Sequence, residues 1–370
     1  MLFNYTYVPH QMEKMQGFID FIFNEVWCKA PLGLTFSPAL FDSEPDYKNI
    51  MSDFGFSNVA SEKGRGRRFY KETKEIYELF CKLSAGEVNQ FQSWYKANNA
   101  IEKICLNEAG IEVIRYCELF KLYPVLGKHL AKYFKGLYDI HNLAKIKQLF
   151  KGIEDHNTEF FKINSVGICP FCGIKKLRGI HHTRREAYDH YLPKYRYPFN
   201  ALNFTNLVPA CNECNSVYKL SKDPVRKKHP ITKNNKQRKT FYPYSTNEYK
   251  IDVYLSVDTS DIDSLMPDDI QLSFGPVDIA EEIDTWKDVY GIEERYKAEC
   301  CNESGGKYWL TQVLDEWRED DRSPDSYLST LTRQAQRDPF PESNFLKKAF
   351  LLGCKDAGLF NIDPSLIKSP

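Results

Sequence analysis

The chain has 370 residues, of which 42% are hydrophobic and 27% are charged, and its formal net charge at pH 7 is zero. This length is enough for two or three folded domains, and the composition is that of a globular protein. The most apolar early stretch, residues 18–36, is interrupted by Asp20, Glu25 and Lys29, so we expect no transmembrane helix and no membrane partner. The first residues lack the basic and apolar regions of a signal peptide, and we therefore expect a cytoplasmic protein.

The first predicted domain, residues 1–160, is a helical N-terminal region. Residues 12–27 carry apolar side chains at helical spacing, and Ser84 and Glu87 have the spacing of a capping box. Further helices are predicted over residues 69–83, 84–106, 111–122, 126–137 and 143–153. The glycine-containing basic stretch 61–68 is predicted to be a flexible loop. No residues in these helices have the spacing of a catalytic motif, so we expect the helices to position the next domain or to bind a partner.

The second predicted domain, residues 161–245, contains two Cys-x-x-Cys pairs, Cys169 with Cys172 and Cys211 with Cys214. Thiolates at this spacing can bind one ion at about 2.3 Å, which predicts a structural zinc site, with redox chemistry or chance as the alternatives. The pairs are separated by 38 residues, whereas a simple zinc ribbon has roughly 15–20. An inserted element is therefore expected. The other seven cysteines are scattered, and we predict that they are small buried side chains in a reducing compartment.

Charge is concentrated in this domain. Residues 170–240 contain 16 basic and four acidic side chains, a net charge of +12. Such a basic region is typical of proteins that contact the phosphate backbone of nucleic acid, although solvated loops over residues 226–228 and 233–239 would look the same. Lys194 and Arg196 are candidates for phosphate contacts, with plain solvation as the alternative.

The insert contains Asp189 and His190, which have the chemistry needed to hydrolyse a phosphodiester. Histidine can accept a proton from the attacking water, and carboxylate and amide oxygens from Asp189 and Asn215 are suitable ligands for Mg²⁺ or Mn²⁺. Adjacent strand residues point to opposite faces, so Asp189 and His190 can share a metal only at a bent strand end. We predict a second strand over residues 204–208, followed by a helix carrying Asn215 and Lys219 on one face.

The third predicted domain, residues 246–370, is mostly helical. Residues 250–257 and 270–274 are predicted to be short strands. Helices are predicted over residues 279–296, 307–318, 327–336 and 342–352. Residues 251–290 contain eleven acidic side chains and a single lysine, which predicts either a solvated face or a surface that packs against the basic domain.

The order of these motifs, with the Asn-Leu-Val-Pro run at residues 206–209, resembles that of the zinc-stabilised HNH endonucleases, whose fold is the ββα-metal motif. The resemblance implies that Asp189 binds the catalytic metal and that His190 is the general base. It also implies that Asn206 ties the hairpin together, that Asn215 is the second metal ligand and that Lys219 contacts phosphate. The products would carry a 5′-phosphate and a 3′-hydroxyl.

The predicted fold class is therefore mainly α with a small α+β centre, namely a ββα-metal HNH domain with a Cys₄ zinc site flanked by helical regions. The runs at residues 189–194 and 241–244 are also similar to HNH nuclease subunits of bacterial anti-phage systems such as Septu. That similarity implies a defence role and an ATPase partner, and we expect DNA rather than RNA as substrate. The long helical N-terminal region departs from those nucleases. Two alternatives are a non-catalytic zinc-dependent nucleic-acid-binding module and a structural subunit of a larger complex.

Overall fold

The computed structural model describes residues 1–56, 63–228, 235–259 and 261–361. This part of the chain is mainly helical and contains three two-stranded antiparallel sheets, which confirms the predicted mainly α class with a small β content. Within these ranges, no helix combines the length and the apolar character that crossing a bilayer requires. Residues 61–62 and 233–234 of the predicted basic loops lie outside the described residues.

Nine α-helices precede the first cysteine pair in the described part of the chain. They are α1 Lys14–Phe21, α2 Pro45–Phe56, α3 Lys63–Phe80, α4 Ala85–Asn99, α5 Ile101–Cys105, α6 Tyr116–Leu122, α7 Pro124–Gly136, α8 Ala144–Phe150 and α9 Ile153–Ile163. The first continues as a π-helical segment over Ile22–Trp27. The predicted capping box is present, because the Glu87 amide donates to Ser84 Oγ and the Ser84 amide donates to the Glu87 carboxylate.

Helix α3 begins at Lys63, so the prediction of a loop over residues 63–68 is wrong. Gly66 lies directly against Phe54 of α2, where a Cβ atom would come within 2.6 Å of the ring. Glycine therefore permits the close contact between α2 and α3. This tertiary contact outweighs the weak helix propensity that suggested a loop.

The central segment forms two hairpins and one short helix. Strand β1, Tyr188–His190, pairs with β2, Leu207–Pro209, which starts three residues later than predicted because Phe204–Asn206 forms a 3₁₀ turn. Glu213–Lys219 is a π-helical segment, which we call the site helix. It is followed by β3 Arg226–Lys228 and β4 Asn235–Gln237. Strand β1, strand β2 and the site helix thus follow in the predicted order.

The last part of the chain contains one hairpin and five helices in the described residues. They are β5 Asp252–Val257, β6 Ile270–Gly275, α10 Ala280–Tyr290, α11 Ile292–Cys301, α12 Gly306–Asp320, α13 Pro324–Arg337 and α14 Asn344–Asp356. Both predicted strands are present. The predicted helix over residues 279–296 is two helices, which are separated at Gly291.

Buried apolar side chains form two clusters that meet at the first hairpin. The N-terminal core is built from α1–α4 and α6–α8 and includes Tyr188 and Leu207, whereas the C-terminal core contains α5, the cysteine loops, the last helices, and Tyr191 and Val208. Successive strand residues point to opposite faces, so Leu207 and Val208 belong to different cores. Buried residues from positions 1–8 pack in the C-terminal core. The domain boundaries at residues 160 and 245 stay a prediction.

Candidate functional site

The four paired cysteines lie together in the C-terminal core. The sulfur atoms of Cys169, Cys172, Cys211 and Cys214 are all within 4.8 Å of one another, and all four residues are buried. Four thiolates around a zinc ion at 2.3 Å would be separated by about 3.8 Å. All eleven cysteines of the chain are free, so no disulfide competes for these sulfurs. The cluster can therefore bind a structural metal such as zinc.

The first cysteine loop is closed by a backbone hydrogen bond of 2.8 Å from the Gly173 amide to the Cys169 carbonyl. Gly173 has a φ of +70°, and a Cβ atom at this position would lie 2.2 Å from Leu2. Only glycine fits this turn. The amide of Cys214 also points at Cys211 Sγ, at 3.4 Å. Such amide contacts stabilise negative charge on a metal-bound thiolate.

The C-terminal helices hold the first cysteine loop from outside. Trp286 on α10 donates its indole N–H to the carbonyl of Phe171 at 2.6 Å, and the Tyr296 hydroxyl on α11 donates to the carbonyl of Cys172 at 2.9 Å. Both aromatic side chains are fully buried. The loop geometry is therefore fixed by residues more than 100 positions away in sequence.

Arg295 on α11 provides the positive charge beside the cysteines. Its Nη1 lies 3.2 Å from Cys214 Sγ, and its Nη2 lies 3.0 Å from the Glu213 carboxylate. Burial alone would lower the pKa of this guanidinium, but the thiolates of Cys214 and Cys172 raise it above its ordinary value. A Cys₄ zinc site carries a net charge of about −2. Arg295 offsets part of that charge.

The seven remaining cysteines only partly follow the prediction of burial. Cys28, Cys105, Cys300 and Cys354 are buried, Cys301 is partly buried, and Cys81 and Cys117 are exposed. The prediction is wrong for the two exposed residues, which lie at a helix end and on a helix surface.

Asn206 connects the two ends of the first hairpin. Its Oδ1 accepts a hydrogen bond of 2.7 Å from the Leu192 amide, and its Nδ2 donates to the Leu192 carbonyl at 3.1 Å. The residue is fully buried. These contacts are of the kind that the resemblance implies for Asn206, and they fix the chain immediately after His190.

Lys219 on the site helix forms a buried ion pair with Asp189. Its Nζ lies 2.9 Å from Asp189 Oδ1 and donates a second hydrogen bond of 2.9 Å to the His190 carbonyl. The lysine side chain is 0% exposed, so the predicted phosphate contact of Lys219 is not available in this structure. Burial raises the pKa of Asp189, and Lys219 opposes that shift.

The second carboxylate oxygen of Asp189 has no partner among the described residues. Oδ2 is inaccessible to solvent and makes no hydrogen bond there. Buried polar atoms of folded proteins normally have a partner, so Oδ2 is the Asp189 oxygen that is free to bind a cation, whereas Oδ1 is bound to Lys219. Asp189 therefore fits a divalent metal through Oδ2 but not through Oδ1.

His190 lies on the other side of the strand, against the N-terminal helices. Its Nε2 is 3.0 Å from the Ala201 carbonyl. A carbonyl can only accept, so Nε2 carries the proton and Nδ1 keeps its lone pair. The ring packs edge-on against Tyr138, with centroids 5.1 Å apart. Burial, with a smaller contribution from the Lys194 ammonium, lowers the pKa of His190 to about 3.

Two other predicted site residues, Asn215 and Arg196, form no hydrogen bond with Asp189 or His190 among the described residues. Asn215 is partly exposed, and its side chain makes no hydrogen bond with the described residues. The Leu220 amide donates to its carbonyl, an i→i+5 bond that widens the helix there. Arg196 donates from Nε to the Ser221 carbonyl at 2.5 Å. The structure thus joins Asp189, His190 and Lys219 directly, but does not join Asn215 to Asp189.

Much of the basic charge predicted for nucleic-acid contact is paired with carboxylates. Among the described residues, seven ion pairs involve basic side chains of the region: Lys219–Asp189, Lys175–Glu213, Arg178–Glu186, Arg185–Glu154, Arg226–Glu118, Lys227–Asp288 and Arg238–Asp288. Burial opposes ionisation of Asp288, but Arg238 and Lys227 lower its pKa. Asp288 belongs to the acidic stretch, so part of that stretch packs against the basic domain.

Three residues beside these sites had no signal in the sequence. Tyr138 packs on His190 from the N-terminal region, Lys135 on α7 lies over the rings of Tyr116 and Tyr195, and Arg295 reaches the cysteines from α11. None of them belongs to a local motif. Only the tertiary fold brings them to the central segment.

Comparison with protein-family models, with curated proteins and with solved structures found no match for this chain. The resemblance to HNH nucleases therefore rests on the motif residues of the sequence.

Proposed function

We propose that the chain is a metal-dependent HNH-type endonuclease that hydrolyses phosphodiester bonds of nucleic acid, with DNA favoured over RNA. The observation that carries the proposal is the state of His190. Its Nε2–H is bound to the Ala201 carbonyl, which leaves the lone pair of Nδ1 for a proton from water. Among the described residues, none forms a hydrogen bond with Nδ1.

The lowered pKa of His190, about 3, means that the imidazole is neutral at neutral pH and that Nδ1 is unprotonated. The same low pKa makes the buried ring a weaker base than a histidine whose pKa lies near the working pH, so the support for the proposal is the free lone pair and its geometry. The edge-on contact with Tyr138 and the bond to Ala201 hold the ring in one orientation. A general base needs this combination of a free lone pair and a fixed position.

Asp189 through Oδ2, and Asn215 through its side-chain oxygen, are the residues that would bind Mg²⁺ or Mn²⁺. A divalent cation supplies charge stabilisation at the phosphate during hydrolysis. Lys219 has a different proposed role from the phosphate contact that the resemblance implies. By pairing with Oδ1 of Asp189 and with the His190 carbonyl, it fixes both neighbouring residues of the strand.

The cysteine cluster acts in this proposal as a structural zinc site that orients the site helix. Cys211 and Cys214 lie directly before and within the start of that helix. The proposal also includes a cytoplasmic location and a role in anti-phage defence beside an ATPase, both of which rest on sequence alone.

A non-catalytic nucleic-acid-binding module is the second candidate. The observation that favours it is the Asp189–Lys219 ion pair, which occupies one oxygen of the proposed metal ligand. In that case the hairpin would be a scaffold, and the divalent metal would have no role.

Metal dependence separates the two candidates. The purified zinc-loaded protein is incubated with plasmid, single-stranded DNA and RNA in the presence of Mg²⁺, Mn²⁺ or EDTA. The nuclease proposal predicts new 5′-phosphate ends with Mg²⁺ or Mn²⁺ and none with EDTA, while zinc content stays constant. Binding that persists in EDTA without cleavage under any condition would support the binding module instead.

A further inference from the structure

Lys194, four residues after His190, and Lys135 on α7 have no carboxylate partner among the described residues, unlike the seven paired basic side chains of residues 170–240. In the described part of the chain, no carboxylate oxygen lies within 4.0 Å of the ammonium group of Lys135 or Lys194. Burial lowers the pKa of Lys194, and Asp139 opposes that shift without forming an ion pair. The positive charge at these two positions is therefore available to another anion.

Aromatic rings hold these ammonium groups in place. Lys135 Nζ lies 4.7 Å from the centroid of Tyr116 and 5.7 Å from that of Tyr195. Lys194 Nζ lies 5.4 Å from the centroid of Tyr138 and 5.7 Å from that of Tyr195. Such contacts orient a cation without neutralising it. Both lysines are therefore positioned for binding before any ligand arrives.

These residues form a row that ends at His190. Tyr195 lies between the two lysines and is 62% exposed. Tyr138, which contacts Lys194 on one side, packs against the His190 ring at 5.1 Å on the other. We call Lys135, Tyr195 and Lys194 the lysine row. It joins α7 of the N-terminal region to the loop that follows β1.

We propose that the lysine row binds a nucleic-acid strand, with Lys135 and Lys194 contacting backbone phosphates and the exposed Tyr195 ring contacting a base. Unpaired ammonium groups beside an exposed aromatic ring are the elements that bind nucleic-acid strands without sequence preference. The direction of the row delivers a phosphodiester to His190, and this part of the inference rests on the proposed nuclease function. Strand binding itself does not require cleavage.

In this proposal the N-terminal helices take part in strand binding. Lys135 is the last basic residue of α7, so the helical region contributes directly to substrate binding. The paired cations of residues 170–240 contribute less, because their carboxylate partners already compensate them.

The test is strand binding measured by fluorescence anisotropy in EDTA, where metal-dependent cleavage is absent. The probes are fluorescein-labelled single-stranded DNA, the corresponding duplex and the corresponding RNA. Lys135→Gln is compared with Lys132→Gln, which lies on the same helix but is paired with Glu72 at 2.8 Å. We expect Lys135→Gln to weaken binding about 3- to 10-fold and to reduce the salt slope by about 0.7–0.9, with little change for Lys132→Gln.

Lys135→Arg, which keeps the charge, should bind as the wild type does. Equal effects of Lys135→Gln and Lys132→Gln, or no binding of any probe by the wild type, would overturn the lysine row. Weakened binding by Lys135→Gln in a protein that never cleaves would uphold the row and reject the nuclease. Cleavage that is unaffected by Lys135→Gln at subsaturating substrate would uphold the nuclease and reject the lysine row.

Discussion

The two polar centres of the central segment differ in how completely their groups are paired. The cysteine cluster is enclosed in the C-terminal core, with four sulfurs within 4.8 Å and a guanidinium beside Cys214. The hairpin centre, formed by Asp189, His190 and Lys219, lies between the two cores. Within the part of the chain that the structure describes, Asp189 there has a carboxylate oxygen without a partner and His190 has a free lone pair. A closed set of ligands is typical of structural metal sites, whereas incompletely paired groups are typical of sites that bind or react.

Removal of a zinc ligand should have the largest effect. We expect Cys172→Ser to lose zinc and to unfold the central segment, because binding of a structural zinc contributes on the order of 10 kcal/mol to folding. Zinc content by elemental analysis and thermal melting would measure the loss. The control is Cys81→Ser, an exposed cysteine far from the cluster in sequence, which should melt as the wild type does. Normal melting of Cys172→Ser would contradict a structural role for the cluster.

Removal of the Lys219 ammonium group should have the next largest effect on stability. Lys219→Met leaves the Asp189 carboxylate buried without a cation, which should lower the free energy of unfolding by about 3–5 kcal/mol. Adding Asp189→Asn should restore much of that loss, because a neutral amide tolerates burial better. Denaturant unfolding of the two single variants and the double variant measures the coupling. If the losses in free energy of unfolding of the two single variants simply add up in the double variant, Lys219 and Asp189 do not stabilise each other.

Acid should destabilise the hairpin through His156 on α9. The side chain accepts a hydrogen bond of 2.7 Å from the Tyr188 hydroxyl, and burial, with the nearby His10, lowers its pKa from 6.5 to about 4. In the unfolded chain His156 becomes protonated below pH 6.5. Its contribution is therefore complete above pH 6.5 and is lost as the pH falls to about 4, by up to about 3 kcal/mol.

His156→Asn removes this titration while keeping a hydrogen-bond acceptor near the Tyr188 hydroxyl. Unfolding measured across that pH window should show a flatter dependence for the variant than for the wild type. An identical slope for both proteins would mean that His156 does not titrate on unfolding.

Arg295 should have the smallest effect on stability, because it acts on the cysteine cluster from outside. We expect Arg295→Gln to weaken zinc retention by about 10-fold, the lower end of the effect seen for groups that support metal ligands. Competition with a chromogenic chelator measures that retention. Arg322→Gln on the same C-terminal part, where the side chain pairs with Glu316 and lies over the Tyr327 ring, is the matched control. Equal zinc release by both variants would remove Arg295 from the account of this site.

Local patterns in the sequence predicted the elements that depend on short-range spacing. The two Cys-x-x-Cys pairs, the strands around Asp189 and Val208, and the position of Asn206 all follow from residues close together in the chain. The family resemblance implies a phosphate contact for Lys219, whereas its ion pair with Asp189, 30 residues away, leaves no local signal in the sequence.

Long-range packing explains what the sequence did not predict. The contact of Tyr138 with His190 and that of Arg295 with Cys214 each join elements that are separate in sequence. The start of α3 depends on the contact between Gly66 and Phe54. The pairing of Asp288 with Lys227 and Arg238 likewise reduces the free basic surface that the net charge of +12 indicated.

His190 is proposed to activate water at the first hairpin, beside Asp189. The most direct measurement is the cleavage rate of His190→Ala with Mg²⁺ or Mn²⁺ on the substrate that the wild type cleaves, with zinc content and melting as fold controls. His181→Ala, which removes an exposed histidine of the same insert, is the matched variant. The account predicts a loss of at least about 100-fold for His190→Ala and an unchanged rate for His181→Ala. Cleavage by a folded His190→Ala at the wild-type rate would contradict it.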